Sequence, residues 1–293
     1  MRLLLDSNSL IDLVEHGRPV DVSAFAAKLR SVEAKVVLTL TNVREFSAPA
    51  FLRQDFLSHR ALLQEVERLP LAYMCEVSIT WRELLRAWID FSAGHDYTPT
   101  SPYVSQWIET LYLYGAPRNA TPLVNVRLDD SVYELRASWE QRFEERRSVG
   151  TIIRQQFAAD RKLPPARGDA RRRNFVRTVE GNLGVFGIDI PKSQIEPLGN
   201  WIYENPERCP GLRLIYETRD SLLHNLTDEP QDNDLWDFIH LQAIPYVDAI
   251  CLDRRAADYA HRAARLIRGL NPSVDYADRI FSNLREVISA KFS

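Results

Sequence analysis

The run Arg2-Leu3-Leu4-Leu5-Asp6-Ser7-Asn8-Ser9-Leu10-Ile11-Asp12-Leu13-Val14 changes character twice. Residues 2–5 are apolar and too few for a buried helix. Residues 6–9 are a polar turn. Leu10, Ile11, Leu13 and Val14 then recur at helical spacing. This is a strand–turn–helix opening, with Ser7 or Ser9 expected to cap the helix. Residues 23–32 predict a second helix, and residues 35–41 a β-branched strand. Residues 43–68 predict a long helical region broken near Pro49. A β-α-β-α order implies a parallel sheet.

The pattern changes in the middle of the chain. Residues 79–91, 104–114 and 132–153 carry apolar positions at helical spacing, separated by Pro- and Thr-rich connectors at 95–102 and 115–122. After Asn233 the α/β rhythm returns. It predicts a helix over 234–244, a strand over 247–252, a helix over 256–270, a short strand over 271–275 and a last helix over 281–290. The expected organisation is an α/β domain built from 1–77 and 226–293, with a mostly α-helical insertion over 78–225.

Bulk composition narrows the classes. Of the 293 residues, 45% are hydrophobic and 26% charged, as in an ordinary globular chain. A net charge of −3 advertises no polyanionic partner, so any nucleic-acid contact must come from local basic patches. Three cysteines with no C-x-x-C spacing disfavour a zinc or disulfide framework. No secretory leader or membrane span is legible, so a cytoplasmic location is expected. There is no H-E-x-x-H helix and no Gly-rich phosphate loop.

The chemistry lies in five acids. Asp6 and Asp253 each follow a predicted strand, and Glu45 lies just past another. Asp234 and Asp237 share a face near the start of a predicted helix. Ligands of open parallel sheets bind beyond the carboxyl ends of the strands, where all five are placed to converge. Oxygen-only donors favour Mg²⁺ or Mn²⁺. Such an ion activates water and neutralises a phosphoryl oxygen in phosphodiester hydrolysis. Taken singly, each acid is also an ordinary turn or cap residue; Asp234 in particular suits an N-cap with Asp237 at its third helical position. Asp248 is a further candidate for the rim of the site.

Leu-Leu-Leu-Asp6-Ser-Asn8 resembles the opening of PIN domains, a nuclease family that includes many toxin ribonucleases. Glu45, in Thr-Asn-Val-Arg-Glu-Phe, is similar to the family's second acid. Asp237, or else Asp234, is similar to the third, and Asp253, in Ile-Cys-Leu-Asp-Arg-Arg, to the last. The likeness covers about the first 70 and last 65 residues; Leu252 stands where the family commonly has Thr or Ser. The resemblance implies a parallel α/β/α sandwich and an Mg²⁺- or Mn²⁺-dependent ribonuclease, with RNA a more frequent substrate than DNA. Asp6, Glu45, Asp237 and Asp253 would be catalytic, with Asp234 a further metal ligand. Asn8 would contact substrate. His240, three residues after Asp237 on the same helical face, would touch a substrate phosphate or a metal-bound water, or else bond to Asp237. A toxin-like member would have an antitoxin or another protein partner; a homodimer is also compatible.

Residues 161–177 carry seven Arg or Lys against one Asp. Arg171, Arg172, Arg173 and Arg177 would hold phosphates, with Phe175 stacking on a base. Two alternatives stand beside the nuclease reading. One is an inactive PIN-like scaffold that binds nucleic acid or protein. The other rests on Arg219-Asp-Ser-Leu-Leu-His224, which resembles the R-x₄-H signature of metal-independent HEPN ribonucleases.

Overall fold

The computed structural model describes residues 1–43, 45, 56–107, 109, 128, 155, 159–161, 165–225, 227–229, 231 and 239–292. Six strands form one sheet in the order β4-β3-β2-β1-β5-β6. β1 (Arg2–Leu5), β2 (Lys35–Thr39), β3 (Leu71–Met74), β5 (Ala249–Cys251) and β6 (Ile280–Phe281) run parallel, and β4 (Tyr103–Val104) pairs antiparallel with β3. The class is α/β with a mostly parallel sheet.

Helices cover both faces of the sheet. Leu3, Leu5, Val36 and Leu38 face one core with α1 (Ser7–His16), α2 (Val22–Ser31), α3 (Phe56–Val66) and α9 (Leu284–Lys291). Leu4, Val37 and Ile250 face the other with α7 (Pro210–Leu223) and α8 (Arg254–Leu270). Alternate strand residues thus enter opposite cores, which explains why β1 reads as an unbroken apolar run. A third core joins α4 (Ile79–Ala93), α5 (Asp169–Val185) and α6 (Lys192–Glu204) to the outer side of α7. α7 is the shared wall: Leu212 and Tyr216 face the helical core, whereas Leu214 and Leu222 face the sheet.

Several elements differ from the sequence reading. β2 stops at Thr39, and residues 40–43 and 45 are helical. β3 was not anticipated: its four residues are mostly half-buried and follow Pro70, which leaves no clean alternation. Tyr103–Val104 is a strand, not the start of a helix. The last strand lies at Ile280–Phe281 and not at 271–275. Two residues carry no period, so that strand exists only through its pairing with β5. The helix expected over 132–153 lies outside the described residues. Among those described, no helix is long and apolar enough to cross a membrane.

Candidate functional site

β1 and β5 are neighbours, paired Leu5 to Cys251. From their carboxyl ends the chain departs in opposite directions: α1 folds onto one face and returns as β2, whereas α8 folds onto the other and returns as β6. Such a switch in winding opens a crevice between the two strand ends. Asp6 and Asp253 stand at its two lips.

Both acids are helix caps. Asp6 Oδ1 accepts from the Ser9 N–H at 2.9 Å, and Asp253 Oδ1 accepts from the Ala256 N–H at 2.9 Å. Asp6, rather than Ser7 or Ser9, therefore caps α1. An aspartate cap offers one oxygen to the helix and leaves the second outside the capping bond. The Asp6 backbone N–H donates to the Cys251 carbonyl at 2.9 Å, locking the two strand ends together.

Burial pushes the Asp6 carboxyl above the ordinary carboxylate range. The Ser9 hydrogen bonds and His240 oppose this shift, while the charge of Asp253 adds to it. Asp6 is thus the desolvated member of the two, whereas Asp253, at the neighbouring strand end, is exposed and close enough for its charge to act on Asp6.

Glu45 joins them from the helix that follows β2. Its Oε2 accepts a short hydrogen bond from the Ser7 hydroxyl and lies 3.9 Å from His240 Nε2. His240 is almost fully buried. The structure sets His240 against Glu45; Asp234 and Asp237 lie outside the described residues, so a contact of His240 with Asp237 does too. Asn8 is exposed on the first turn of α1. Among the described residues, no group of three or more His, Cys, Asp or Glu side chains is close enough together to hold a metal ion.

A polar scaffold not anticipated from the sequence lies beneath these acids. Asn42 is fully buried; its amide donates to the Leu5 carbonyl at 3.0 Å and to Ser7 Oγ at 3.3 Å. Its Oδ1 accepts from the Thr39 N–H, and its own N–H donates to Thr39 Oγ1 at 3.1 Å. This is a reciprocal capping box, legible in Thr39-Leu-Thr-Asn42 with Asn in place of the usual Glu or Gln. Buried Glu76 accepts from the Leu40 and Thr41 N–H groups at 3.1 and 2.6 Å. No local pattern announces that contact, because its partners are more than thirty residues away.

The basic stretch is largely committed elsewhere. Arg171 pairs with Glu217 and lies 3.0 Å from Asp220. Arg172 lies 2.8 Å from Glu204 and 2.6 Å from Asn200 Oδ1. Arg173 and Arg177 are exposed on α5. Phe175 is fully buried among Tyr203, Tyr216 and the Arg213 guanidinium, so it is a core residue and not a base-stacking platform. Asp248 belongs to the opposite end of the sheet, where its Oδ2 accepts from the Arg2 N–H at 2.7 Å.

Arg219 and His224 line one cavity of about 540 Å³ between α5 and α7, together with Asn174 and Arg177. Arg219 lies 3.5 Å from Asp160, and His224 Nδ1 lies 2.8 Å from the Asp220 carbonyl of its own helix. No family model, curated protein or solved structure matches this chain.

Proposed function

We propose that the crevice between the ends of β1 and β5 is the site of a PIN-like, Mg²⁺- or Mn²⁺-dependent endoribonuclease. One observation carries the reading: Asp6 and Asp253, far apart in sequence, cap two divergent helices at the switch point of the sheet. Glu45 on the adjoining helix supplies a third carboxylate. The donor chemistry fits a hard cation, since burial and the neighbouring Asp253 both disfavour charge on Asp6.

A bound divalent ion would supply water activation and neutralisation of phosphoryl charge. Asp6, Asp253, Glu45 and Asp237 are the ligands assigned to it, with Asp234 in support. Ser7 fixes one oxygen of Glu45, and Asn42 fixes Ser7, so the carboxylate is aimed before any ligand binds. His240, buried 3.9 Å from Glu45, is placed to donate to that carboxylate or to a substrate phosphate. The test is cleavage of single-stranded RNA with Mn²⁺ or Mg²⁺, with EDTA and with Asp6→Asn. Cleavage that survives both EDTA and Asp6→Asn would overturn the reading.

A second reading has its own observation. Arg219 and His224 open onto the same cavity, as a metal-independent HEPN-type ribonuclease requires. EDTA-resistant cleavage lost in His224→Ala is its signature. RNA binding with no cleavage under any condition points instead to an inactive scaffold.

A further inference from the structure

We propose that the outer face of α8 is the track along which single-stranded RNA leaves the Asp253 lip of the crevice. This rests on the nuclease reading of that crevice. α8 begins at the Asp253 cap, so its first turns border the site directly. Its residues 254–270 include five arginines and one aspartate, in a chain whose net charge is −3. The helix buries Ala256, Ala260, Ala263, Ala264 and Ile267 and turns Arg254, Arg262 and Arg265 outward, all three exposed. At ~1.5 Å per residue, Arg254 and Arg265 lie about 16 Å apart along the axis. That is the length of roughly five stacked nucleotides at ~3.4 Å each.

A groove of about 310 Å³ opens beside the first turns of α8, lined by Arg254, Arg255, Arg262, Tyr259, Asp228 and Asp258 among others. Its acids do not cancel its charge. Asp228 is paired with Arg255 at 2.9 Å and accepts from the Tyr259 hydroxyl at 2.7 Å. Arg161 adds a further cation, donating to the Asp228 carbonyl at 2.7 Å. Asp258 is then outweighed by Arg254 and Arg262, one helical turn before it and one after. The most basic stretch of the sequence is a poorer track, because Arg171 and Arg172 are held by carboxylates. Contacts of this kind bind phosphate without reading sequence and weaken with salt.

The test uses the full chain carrying Asp6→Asn, in EDTA, with a fluorescein-labelled oligouridylate followed by anisotropy across a KCl series. Replacing Arg254, Arg262 and Arg265 together by Ala should lower the slope of log affinity against log salt by about 2, at ~0.7 per phosphate contact. Lysine at all three positions should restore it. Removing the two positive charges of Lys28 and Lys35, exposed on α2 and at the start of β2, should leave it unchanged. With Asp6 intact and Mn²⁺ present, the arginine triple should raise KM and spare kcat. An unchanged slope in the triple variant overturns the track, and cleavage by the native chain then leaves the nuclease reading standing. A lost slope in a chain that never cleaves keeps the track and sinks the nuclease. Polyglutamate bound as tightly as oligouridylate, with the same loss in the triple variant, overturns the track in favour of an acidic protein partner.

Discussion

Glu83 Oε1 accepts a 2.6 Å hydrogen bond from the Tyr246 hydroxyl and a 2.7 Å bond from the Gly211 N–H. Its Oε2 accepts from the Leu212 N–H at 2.9 Å. One buried carboxylate on α4 thereby caps α7 and grips the segment that leads from His240 back to β5. Thr80 adds a 3.0 Å bond to Gln242 in the same segment. The helical part of the molecule is thus fastened to the segment that enters β5, the strand that leads to Asp253.

That grip depends on pH. Burial raises the Glu83 carboxyl from 4.5 to about 7, against the opposing hydrogen bonds of Tyr246, Leu212 and Gly211. The folded chain therefore holds this proton more tightly than the unfolded chain. Stability should be fullest below about pH 4.5 on this account and fall as pH rises toward and through 7. The loss is on the order of 3 kcal/mol at complete ionisation. Urea melts at pH 5 and pH 8 measure it. Glu83→Gln should flatten the difference, and an equal pH slope in both proteins would refute the assignment.

Asp6→Asn separates stability from activity. Asparagine keeps an oxygen for the Ser9 N–H, so the cap persists. It removes a charge that burial disfavours. In EDTA at pH 8 the variant should melt at a higher temperature than the native chain. The gain should vanish at pH values low enough to protonate Asp6 in both the folded and unfolded states. Metal-dependent cleavage should be lost at all pH values. A lower melting temperature at pH 8 would contradict the desolvation account.

Ser7→Ala tests the scaffold beneath the acids. The hydroxyl donates to Glu45 and accepts from Asn42 at 3.3 Å. Its loss should slow cleavage about 10- to 100-fold, the usual effect of freeing a carboxylate from its support. Stability should fall by about 1–2 kcal/mol. Cleavage kinetics and urea melts on one preparation separate the two effects.

Gly211→Ala should destabilise the joint between α4 and α7. An added Cβ would meet the Gln242 carbonyl oxygen at 2.8 Å and both Glu83 Oε1 and Ile79 Cγ2 at 2.9 Å. The first of these is backbone and cannot swing aside. A cost of about 1–3 kcal/mol is expected, measurable as a lower denaturation midpoint. Gly181→Ala, with nothing within 4 Å, should instead be neutral or slightly stabilising.

The ion cluster behind α7 should be more sensitive than its surface neighbours. Arg213 is fully buried, bonded to Glu217 at 2.8 Å and to the Tyr203 carbonyl at 3.0 Å. Glu217→Ala leaves that guanidinium without its counter-charge and should cost about 3–5 kcal/mol. Arg172→Ala, at a half-exposed pair, should cost no more than ~1 kcal/mol. Chemical denaturation of the two variants compares them directly.

Local order was legible wherever one residue's neighbours in sequence are also its neighbours in space. The apolar run of β1, the amphipathic spacing of α1, α2, α4 and α8, and the acids at strand ends are such cases. Asp6 and Asp253 could be marked from sequence because a strand end feeding a helix is a local event. Other features depended on partners distant in the chain. β3 and β6 are too short to carry a period and exist through pairing. The fate of Arg171, Arg172 and Phe175 was decided by α6 and α7, which turned a basic stretch into ion pairs and core. Glu76 and Glu83 are ordinary acids in sequence; they become caps because another helix's N–H groups have no partners until the tertiary fold brings a carboxylate to them. Sequence alone thus determined the α/β class and nominated the acids. Only the folded chain decided that β1 and β5 lie side by side with opposite winding, which brings residues 6 and 253 to one crevice.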